Sequence, residues 1–590
     1  MRVPPALIAA FHRHRDTIPI TSENGQTQCA SQEHTEQVMN SVLGHPALLD
    51  PALLDAAQLD PVSLDPDVCY RALQTRDARF DGRFFTAVTS TGIYCRPICP
   101  ARTPMRKHCR FFMSAAAAQQ AGFRACLRCR PETAPQSPAW RGTAGTVSRA
   151  MARIAEGALD GPRASVERLA DSLGVGERQL RRLFDQHIGA SPLAVAQTRR
   201  VLFAKQLLHE TRLPMASVAM AAGFGSIRRF NDTFLALYKR PPSQLRRRSV
   251  TASSAAPLVL RLAYRPPFDW NALLAFFTPR AIPGVEEVRD GIYRRVVRVD
   301  DHIALIAVSH LPARNALQAE IACDHVPALP IIASRLRRIF DLDADTEAIA
   351  RHLSRDRVLA PTVRRQPGLR TPGGWDPFEI AVRAILGQQI SVVAARGLAA
   401  KLVALSTRPL SLGDGALTHA FPTAQQLAPA DLSAIGMPAA RRTALISLAH
   451  AAVADPKIFE AANTLGESIA RLRSIPGIGE WTAQYIALRG LHHPDAFPAS
   501  DIGILRNAEQ IFGMRLSPAG KGLSPAQLLA RSEQWRPWRG YAAQHLWSAS
   551  NVSLTPQRKP RRTAASYASA PALQTRPLAA STVAATGGTL

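Results

Sequence analysis

Leu472-Arg473-Ser474-Ile475-Pro476-Gly477-Ile478-Gly479-Glu480-Trp481-Thr482-Ala483, followed by Pro498-Ala499-Ser500-Asp501, is the stretch that decides the fold of the C-terminal half. It reads as a helix, a hairpin carrying two glycines, and a second helix. Glycine lets backbone N–H groups come close to a phosphate, and the N-terminal end of the second helix favours negative charge. Such a hook alone fits any protein that grips a phosphodiester backbone, including a structural clamp in a ligase, polymerase or nuclease. Asp501, some way beyond it, adds a side chain for bond chemistry.

Outward from this stretch, residues 376 to about 547 keep a helical pattern, whereas Leu258 to Tyr264 and Ile292 to Val297 read as strands. Before a Ser-Ala-rich joint at 250–256, residues 146–248 repeat apolar positions at i, i+3 and i+4. Thr133 to Gly145 has linker composition, and the segment before it combines short β-like runs such as Phe84 to Val88 with closely spaced cysteines. The chain is therefore expected to be multidomain. Its parts are a poorly ordered leader (1–66), a small α+β metal domain (67–135), an all-α unit (143–248), an α+β subdomain (256–345), a mostly α domain (346–554) and a disordered basic, Ala-rich tail (555–590).

The 590 residues carry a formal net charge of +27, which points to a polyanion as partner or, more blandly, to basic tails and a solubilising surface. No apolar run approaches the roughly 20 residues that span a bilayer, so no membrane association is expected. The first residues have no long apolar core of a secretory signal, and a cytoplasmic, nucleoid-associated location follows. In a reducing compartment clustered cysteines bind metal or react rather than form disulfides, and five of the eight lie between residues 95 and 129.

Cys95-x3-Cys99 and Cys126-x2-Cys129 supply four thiolates as two short-spaced pairs, an arrangement that wraps a tetrahedral ion. One zinc is expected, although four soft ligands also suit iron, and most such knots are purely structural. Phe84-Phe85-Thr86-Ala87-Val88, Thr91-Gly92-Ile93-Tyr94-Cys95-Arg96-Pro97-Ile98-Cys99 and Ala121-Gly122-Phe123-Arg124-Ala125-Cys126-Leu127-Arg128-Cys129-Arg130-Pro131-Glu132 closely resemble the N-terminal domain of Ada. The resemblance implies that Cys95 is both a zinc ligand and the irreversible acceptor of methyl groups from DNA phosphotriesters, so the zinc is structural and also activates the nucleophile. A zinc-held sulfur stays deprotonated at neutral pH, as attack on a methyl carbon requires. Cys109, beside Phe111 and Phe112, reads as a small buried apolar residue, and Cys29, Cys69 and Cys323 receive no role.

Val166 to Val175 leads through a glycine turn into Arg178-Gln179-Leu180-Arg181-Arg182-Leu183-Phe184, and Met215 to Phe224 runs into Ser226-Ile227-Arg228-Arg229-Phe230-Asn231-Asp232-Thr233-Phe234. Either unit alone is equally an ordinary helical hairpin. With the closing Pro241-Pro242-Ser243-Gln244-Leu245-Arg246, the pair resembles the AraC-type double helix-turn-helix domain. Gln179, Arg182, Arg228 and Arg229 are the candidate groove-facing residues, since their donors reach base edges or phosphates from a recognition helix.

Trp375-Asp376-Pro377-Phe378-Glu379, Ala384-Ile385-Leu386-Gly387-Gln388-Gln389-Ile390-Ser391 and Trp535-Arg536-Pro537-Trp538-Arg539-Gly540-Tyr541, together with the glycine hairpin, resemble the AlkA family of helix-hairpin-helix DNA glycosylases from residue 256 to about 550. The resemblance puts the catalytic carboxylate at Asp501 and a pocket for the alkylated base at Trp481, Tyr485 and Trp547, with Gly477 and Gly479 as the phosphate hook. Electron-rich rings favour a cationic alkylated purine. Trp481 stands where related lyases carry a Schiff-base lysine, so a monofunctional hydrolase is expected. With no cysteine after Cys323, no iron–sulfur cluster is expected. Gln389 replaces an apolar wedge, Ile502 replaces an aromatic next to the aspartate, and no Pro-Cys-His motif of a guanine methyltransferase occurs.

The expected protein senses alkylation damage, activates transcription and excises bases such as 3-methyladenine. It would act as a monomer on damaged and promoter double-stranded DNA and contact RNA polymerase. Two other readings stay open at this point: a regulator with an inactive glycosylase domain, and a repair enzyme whose helix-turn-helix units only aid DNA binding.

Overall fold

The computed structural model describes residues 65–134, 145–161, 164–246, 257–410, 416–460, 464–513 and 522–552. The leader up to residue 64, the linker at 135–144, the joint at 247–256 and the tail from 555 lie outside the described residues.

The cysteine-bearing segment opens with α1 (Pro66–Thr75), whose first turn is capped by the Asp65 carboxylate accepting from the Asp67 and Val68 N–H groups. Then come β1 (Phe85–Val88), β2 (Ile93–Cys95), β3 (Cys109–Phe112), α2 (Ala115–Gln120) and β4 (Arg124–Ala125). They form one sheet in the order β3-β1-β2-β4, in which β2 and β4 run parallel. This pairing sets Tyr94 opposite Ala125, so the chain leaves both strands side by side at Cys95 and Cys126. Two cysteine pairs distant in sequence converge for that reason. Phe85, Ala87, Tyr94 and Phe123 bury the opposite face against Ala118.

The middle of the chain is all helix: α3 (Gly145–Ala155), α4 (Val166–Ser172), α5 (Glu177–Ile188), α6 (Pro192–Glu210), α7 (Met215–Ala221), α8 (Ile227–Tyr238) and the short α9 (Pro242–Leu245). It is an internal duplication. Leu180 and Phe184 on α5 recur fifty residues later as Phe230 and Phe234 on α8, all four fully buried. Gly189 and Lys239, at the same offset, end the two helices in the left-handed conformation. The long α6 joins the two units.

The last part begins with β5 (Leu258–Ala263), α10 (Trp270–Phe277), β6 (Glu286–Arg289), β7 (Ile292–Val299), β8 (His302–Leu311), β9 (Ala316–Cys323) and α11 (Leu329–Ile339). The strands make an antiparallel sheet in the order β5-β9-β8-β7-β6. Helices α12 (Thr346–Leu353), α13 (Ala360–Arg365), α14 (Pro377–Leu386), α15 (Val392–Ser406), α16 (Ala424–Leu427), α17 (Ala439–Ala454), α18 (Leu465–Arg473), α19 (Glu480–Arg489), α20 (Ile502–Phe512), α21 (Pro525–Ser532) and α22 (Arg539–Val552) complete it. They pack into two apolar cores, one around Ile385, Leu445 and Ile486, the other around Ile504, Trp535 and Leu546. Trp547 touches both.

The helical unit and the sheet are not separate bodies. Ala219 and Phe230 share one continuous core with Leu260 and Leu329. The edge strand β5 is covered by α6, where the Gln206 amide donates to the Arg261 carbonyl (2.9 Å) and the Glu210 carboxylate accepts from the Arg261 N–H (3.0 Å). A side-chain pair thus occupies the backbone groups that an open sheet edge would expose.

Candidate active site and metal centre

Gly477 takes a φ of +87°, and a Cβ there would sit 2.3 Å from the Ala444 methyl, so only glycine fits the turn between α18 and α19. Gly479 caps α19, and a Cβ on it would meet nothing within 4 Å. The hook is rigid on its inner side and open on its outer one. Gln388, at the end of α14, fixes it from beneath by donating to the Gly477 carbonyl (3.1 Å) and to Thr482 Oγ1 (3.0 Å).

Asp501 is the N-cap of α20. Its Oδ1 accepts from the Ile504 N–H at 3.0 Å and from the Trp547 indole N–H at 2.8 Å, and its Oδ2 accepts from the Trp481 indole N–H at 2.9 Å. Two indoles from different helices and a helix N-terminus therefore pin one half-buried carboxylate, with the helix end favouring its negative charge. Trp481 and Tyr485 stack at 5.4 Å with 21° between their planes, and Tyr485 meets Trp547 edge to face at 6.4 Å. All four line one cavity of about 1280 Å³ lying between the sheet and the helices. Its rear wall is an ion network in which Glu379 receives Arg295 (2.8 Å) and Arg383 (2.7 Å), and Glu286 receives Arg383. Burial works against the charged form of Glu379, but the two guanidiniums hold its carboxyl below its usual range.

Sequence reasoning missed Arg489 and Phe276. Arg489, 2% exposed, puts its guanidinium 4.9 Å from the Trp547 ring centre, 4.8 Å from Phe276 and 5.9 Å from Tyr485. Burial pushes it down to about 10. The signal was present: positions 481, 485 and 489 repeat every four residues and lie on one face of α19. Phe276 comes from α10, and no local pattern marks it. Gln389 is exposed on the cavity lining in the left-handed conformation (φ +58°), and the exposed Ile502 also belongs to that lining.

The four sulfurs of Cys95, Cys99, Cys126 and Cys129 lie within 4.8 Å of one another. A tetrahedral ion with Zn–S bonds of about 2.3 Å requires sulfurs roughly 3.8 Å apart, so the set fits such an ion. Cys95 is half-buried and the other three are buried. The Arg96 N–H donates to Cys129 Sγ and the Arg128 N–H to Cys126 Sγ, both at 3.3 Å, as second-sphere donors to thiolate do. The Arg96 guanidinium reaches Asp81, the Cys129 carbonyl and Thr133. From α6, the fully buried Lys205 donates to the Cys126 carbonyl (2.9 Å) and pairs with Glu132 (2.7 Å). Burial opposes the charge on Glu132, but Lys205 and His209 hold its carboxyl down to about 2.

Cys109 is buried with its thiol donating to the Met105 carbonyl (3.4 Å), outside the cluster. Burial pushes the Cys69 thiol up to about 11. Gln179 and Arg182 on α5, and Arg228 and Arg229 on α8, are all exposed, and none enters the cavity or the knot.

Fold and site together define a multidomain helix-hairpin-helix glycosylase-type protein that also carries a four-cysteine metal knot and a tandem helix-turn-helix. Three family models match along the chain: the metal binding domain of Ada at residues 68–132, a helix-turn-helix domain at 169–248 and the AlkA N-terminal domain at 259–376. The chain is 43% identical over 488 residues, 81% of its length, to the probable bifunctional transcriptional activator/DNA repair enzyme AlkA of Mycobacterium tuberculosis, of which it covers 95%. It belongs to that family. It is also 36% identical over 289 residues, 48% of its length, to DNA-3-methyladenine glycosylase 2 of Escherichia coli, covering 95% of that protein. Over 158 residues, 27% of its length, it is 33% identical to the bifunctional transcriptional activator/DNA repair enzyme Ada of the same organism, covering 42% of it. Among the described residues, no helix is long and apolar enough to cross a membrane.

Proposed function

We propose that this protein repairs alkylated DNA by two chemistries and uses the first of them to regulate transcription. In the cavity, the C1′–N bond of an alkylated nucleotide breaks, its electron pair leaves with the base, and a water oxygen bonds to C1′. The Asp501 carboxylate stabilises the positive charge that develops on the sugar. Trp481 and Trp547 hold that carboxylate in one orientation while their rings, with Tyr485, take the extruded base. Gly477 and Gly479 present backbone N–H groups to a phosphate of the same strand. The observation that carries this reading is the carboxylate gripped by two indole N–H groups inside a large aromatic cavity.

At the knot, Cys95, Cys99, Cys126 and Cys129 would hold one zinc ion, which when bound keeps the sulfurs deprotonated at neutral pH. Cys95, the half-buried member, attacks the methyl carbon of a phosphotriester: the S–C bond forms, the C–O bond breaks, and the phosphodiester leaves as an anion. Methylation removes one negative charge from the cluster, which favours contact with DNA phosphates. Gln179, Arg182, Arg228 and Arg229 would then read promoter DNA, with RNA polymerase as the downstream partner and a monomer as the acting unit, in the bacterial cytoplasm at the nucleoid.

The test is a double assay on methyl-labelled DNA. Asp501→Asn is expected to slow base release by about 10² to 10³ while stoichiometric uptake of label persists, and Cys95→Ala should do the opposite. Base release at the wild-type rate by folded, DNA-binding Asp501→Asn protein would overturn the excision mechanism; continued uptake by Cys95→Ala protein would overturn the acceptor assignment.

A further inference from the structure

Arg489 is a cation in the floor of the cavity whose hydrogen-bond partners are neutral, the Pro372 carbonyl at 3.0 Å, the Gln544 side-chain oxygen at 2.7 Å and the Tyr485 hydroxyl, with the Asp501 carboxylate near enough to favour its charge. No carboxylate among the described residues forms an ion pair with it, and it stands against the same rings, Trp547 and Tyr485, that the excision reading gives to the base. A second guanidinium, Arg280, lies 4.0 Å from the Phe276 ring centre. Trp547, Tyr485 and Phe276 therefore already have a protein cation beside them, whereas Trp481 has none among the described residues. A pocket built only to hold positively charged purines by cation–π attraction would not place a fixed positive charge there.

Resting on the base-excision reading, we infer that Arg489 is a specificity-determining residue that extends excision to uncharged base lesions. The chemistry separates two classes. In a cationic lesion such as 7-methylguanine, the electron pair of the broken C1′–N bond cancels the charge already on the ring, the base departs neutral, and the attacking water gives up its proton to solvent. In an uncharged lesion such as hypoxanthine the same pair makes the departing base an anion, which afterwards takes the proton that water loses. The leaving group of the second class is one unit more negative, and a nearby buried cation lowers its barrier selectively. Toward the first class the same cation is mildly repulsive in the ground state.

The experiment measures single-turnover release of hypoxanthine and of 7-methylguanine from otherwise identical duplexes by the full chain. Arg489→Met removes the charge, and Gln544→Glu neutralises it by placing a carboxylate on the existing 2.7 Å contact. Each is expected to lower the hypoxanthine-to-7-methylguanine rate ratio about tenfold. Damage to packing slows both substrates and cancels in the ratio. A ratio within twofold of wild type in the folded variants overturns the inference, as does wild-type protein that releases 7-methylguanine but no hypoxanthine. If Arg489→Met fails to fold, Gln544→Glu decides alone. Wild-type protein that releases neither base overturns the excision reading itself.

Discussion

The four-cysteine knot and the aromatic cavity are assembled in opposite ways. All four cysteines of the knot fall within residues 95–129, yet the loops that carry them are buttressed from outside. Lys205 on α6 holds the Cys126 carbonyl, Arg130 pairs with Glu210 (3.0 Å), and Asp81, which clamps Arg96, accepts from Arg265 of the sheet subdomain at 3.1 Å. The cavity draws its lining from residues as far apart as Ala272 and Ser548, but its decisive groups brace one another: Trp481 and Trp547 hold Asp501, and Gln388 holds the hairpin. A site local in sequence leans here on its neighbours, while a site scattered in sequence is self-supporting. Changes at the knot should therefore spread into the helix-turn-helix unit, and changes in the cavity should stay there.

Metal removal puts the greatest load on this contrast. Structural zinc contributes apparent free energies of about 10–16 kcal/mol in small domains. A chelator is expected to make residues 65–134 protease-sensitive and to loosen α6, with base release preserved. Limited proteolysis alongside a base-release assay checks this, and parallel loss of base release breaks the distinction.

Lys205→Met leaves Glu132 as a buried carboxylate short of its main partner, at a cost of about 3–5 kcal/mol. Thermal unfolding should show a lowered transition for the knot, the helix-turn-helix unit and the sheet that shares its core, and an unmoved one for the helices that carry Asp501. Acid probes the same pair. The Glu132 carboxyl is depressed in the folded state, so its contribution is fully present above about pH 4.5 and is lost as pH falls toward 2. That loss amounts to about 3 kcal/mol, and Glu132→Gln protein should not show it, which acid titrations of the two proteins compared side by side will reveal.

The smallest effect sharpens the other half of the comparison. Trp547→Phe keeps a ring in the pocket but removes one of the three donors to Asp501. A hydrogen bond to a charged group contributes about 1.5–3 kcal/mol, so base release should slow roughly 10- to 100-fold, and because Trp547 also packs against both apolar cores the melting transition should fall as well. Single-turnover rates and a melting curve on the same preparation give both readings.

What was legible in the sequence follows from range. The cysteine pairs, the glycine hairpin and the repeated helix-turn-helix are patterns within a few turns of chain, where spacing alone fixes geometry. Arg489 was half legible, since its place on the Trp481 face of α19 is a matter of helical period, whereas its contact with Phe276 depends on how α10 crosses from the sheet subdomain. The Ser-Ala-rich joint marked a change of composition between two parts of the chain, yet apolar residues of α7 and α8 share a core with the sheet, and composition carries no information about which exposed face finds a partner.

By itself, then, the chain determined which side chains are available for chemistry and which short motifs hold them, because ligand spacing, turn glycines and helical periodicity act locally. Only the tertiary structure decided that Asp501 meets two indoles, that a guanidinium without an ion-pair partner among the described residues lies under the pocket, and that Lys205 ties the knot to α6, the helix joining the two helix-turn-helix units. Those relations join residues separated by long stretches of chain, and burial of shared apolar surface, rather than any local preference, sets the distances between them.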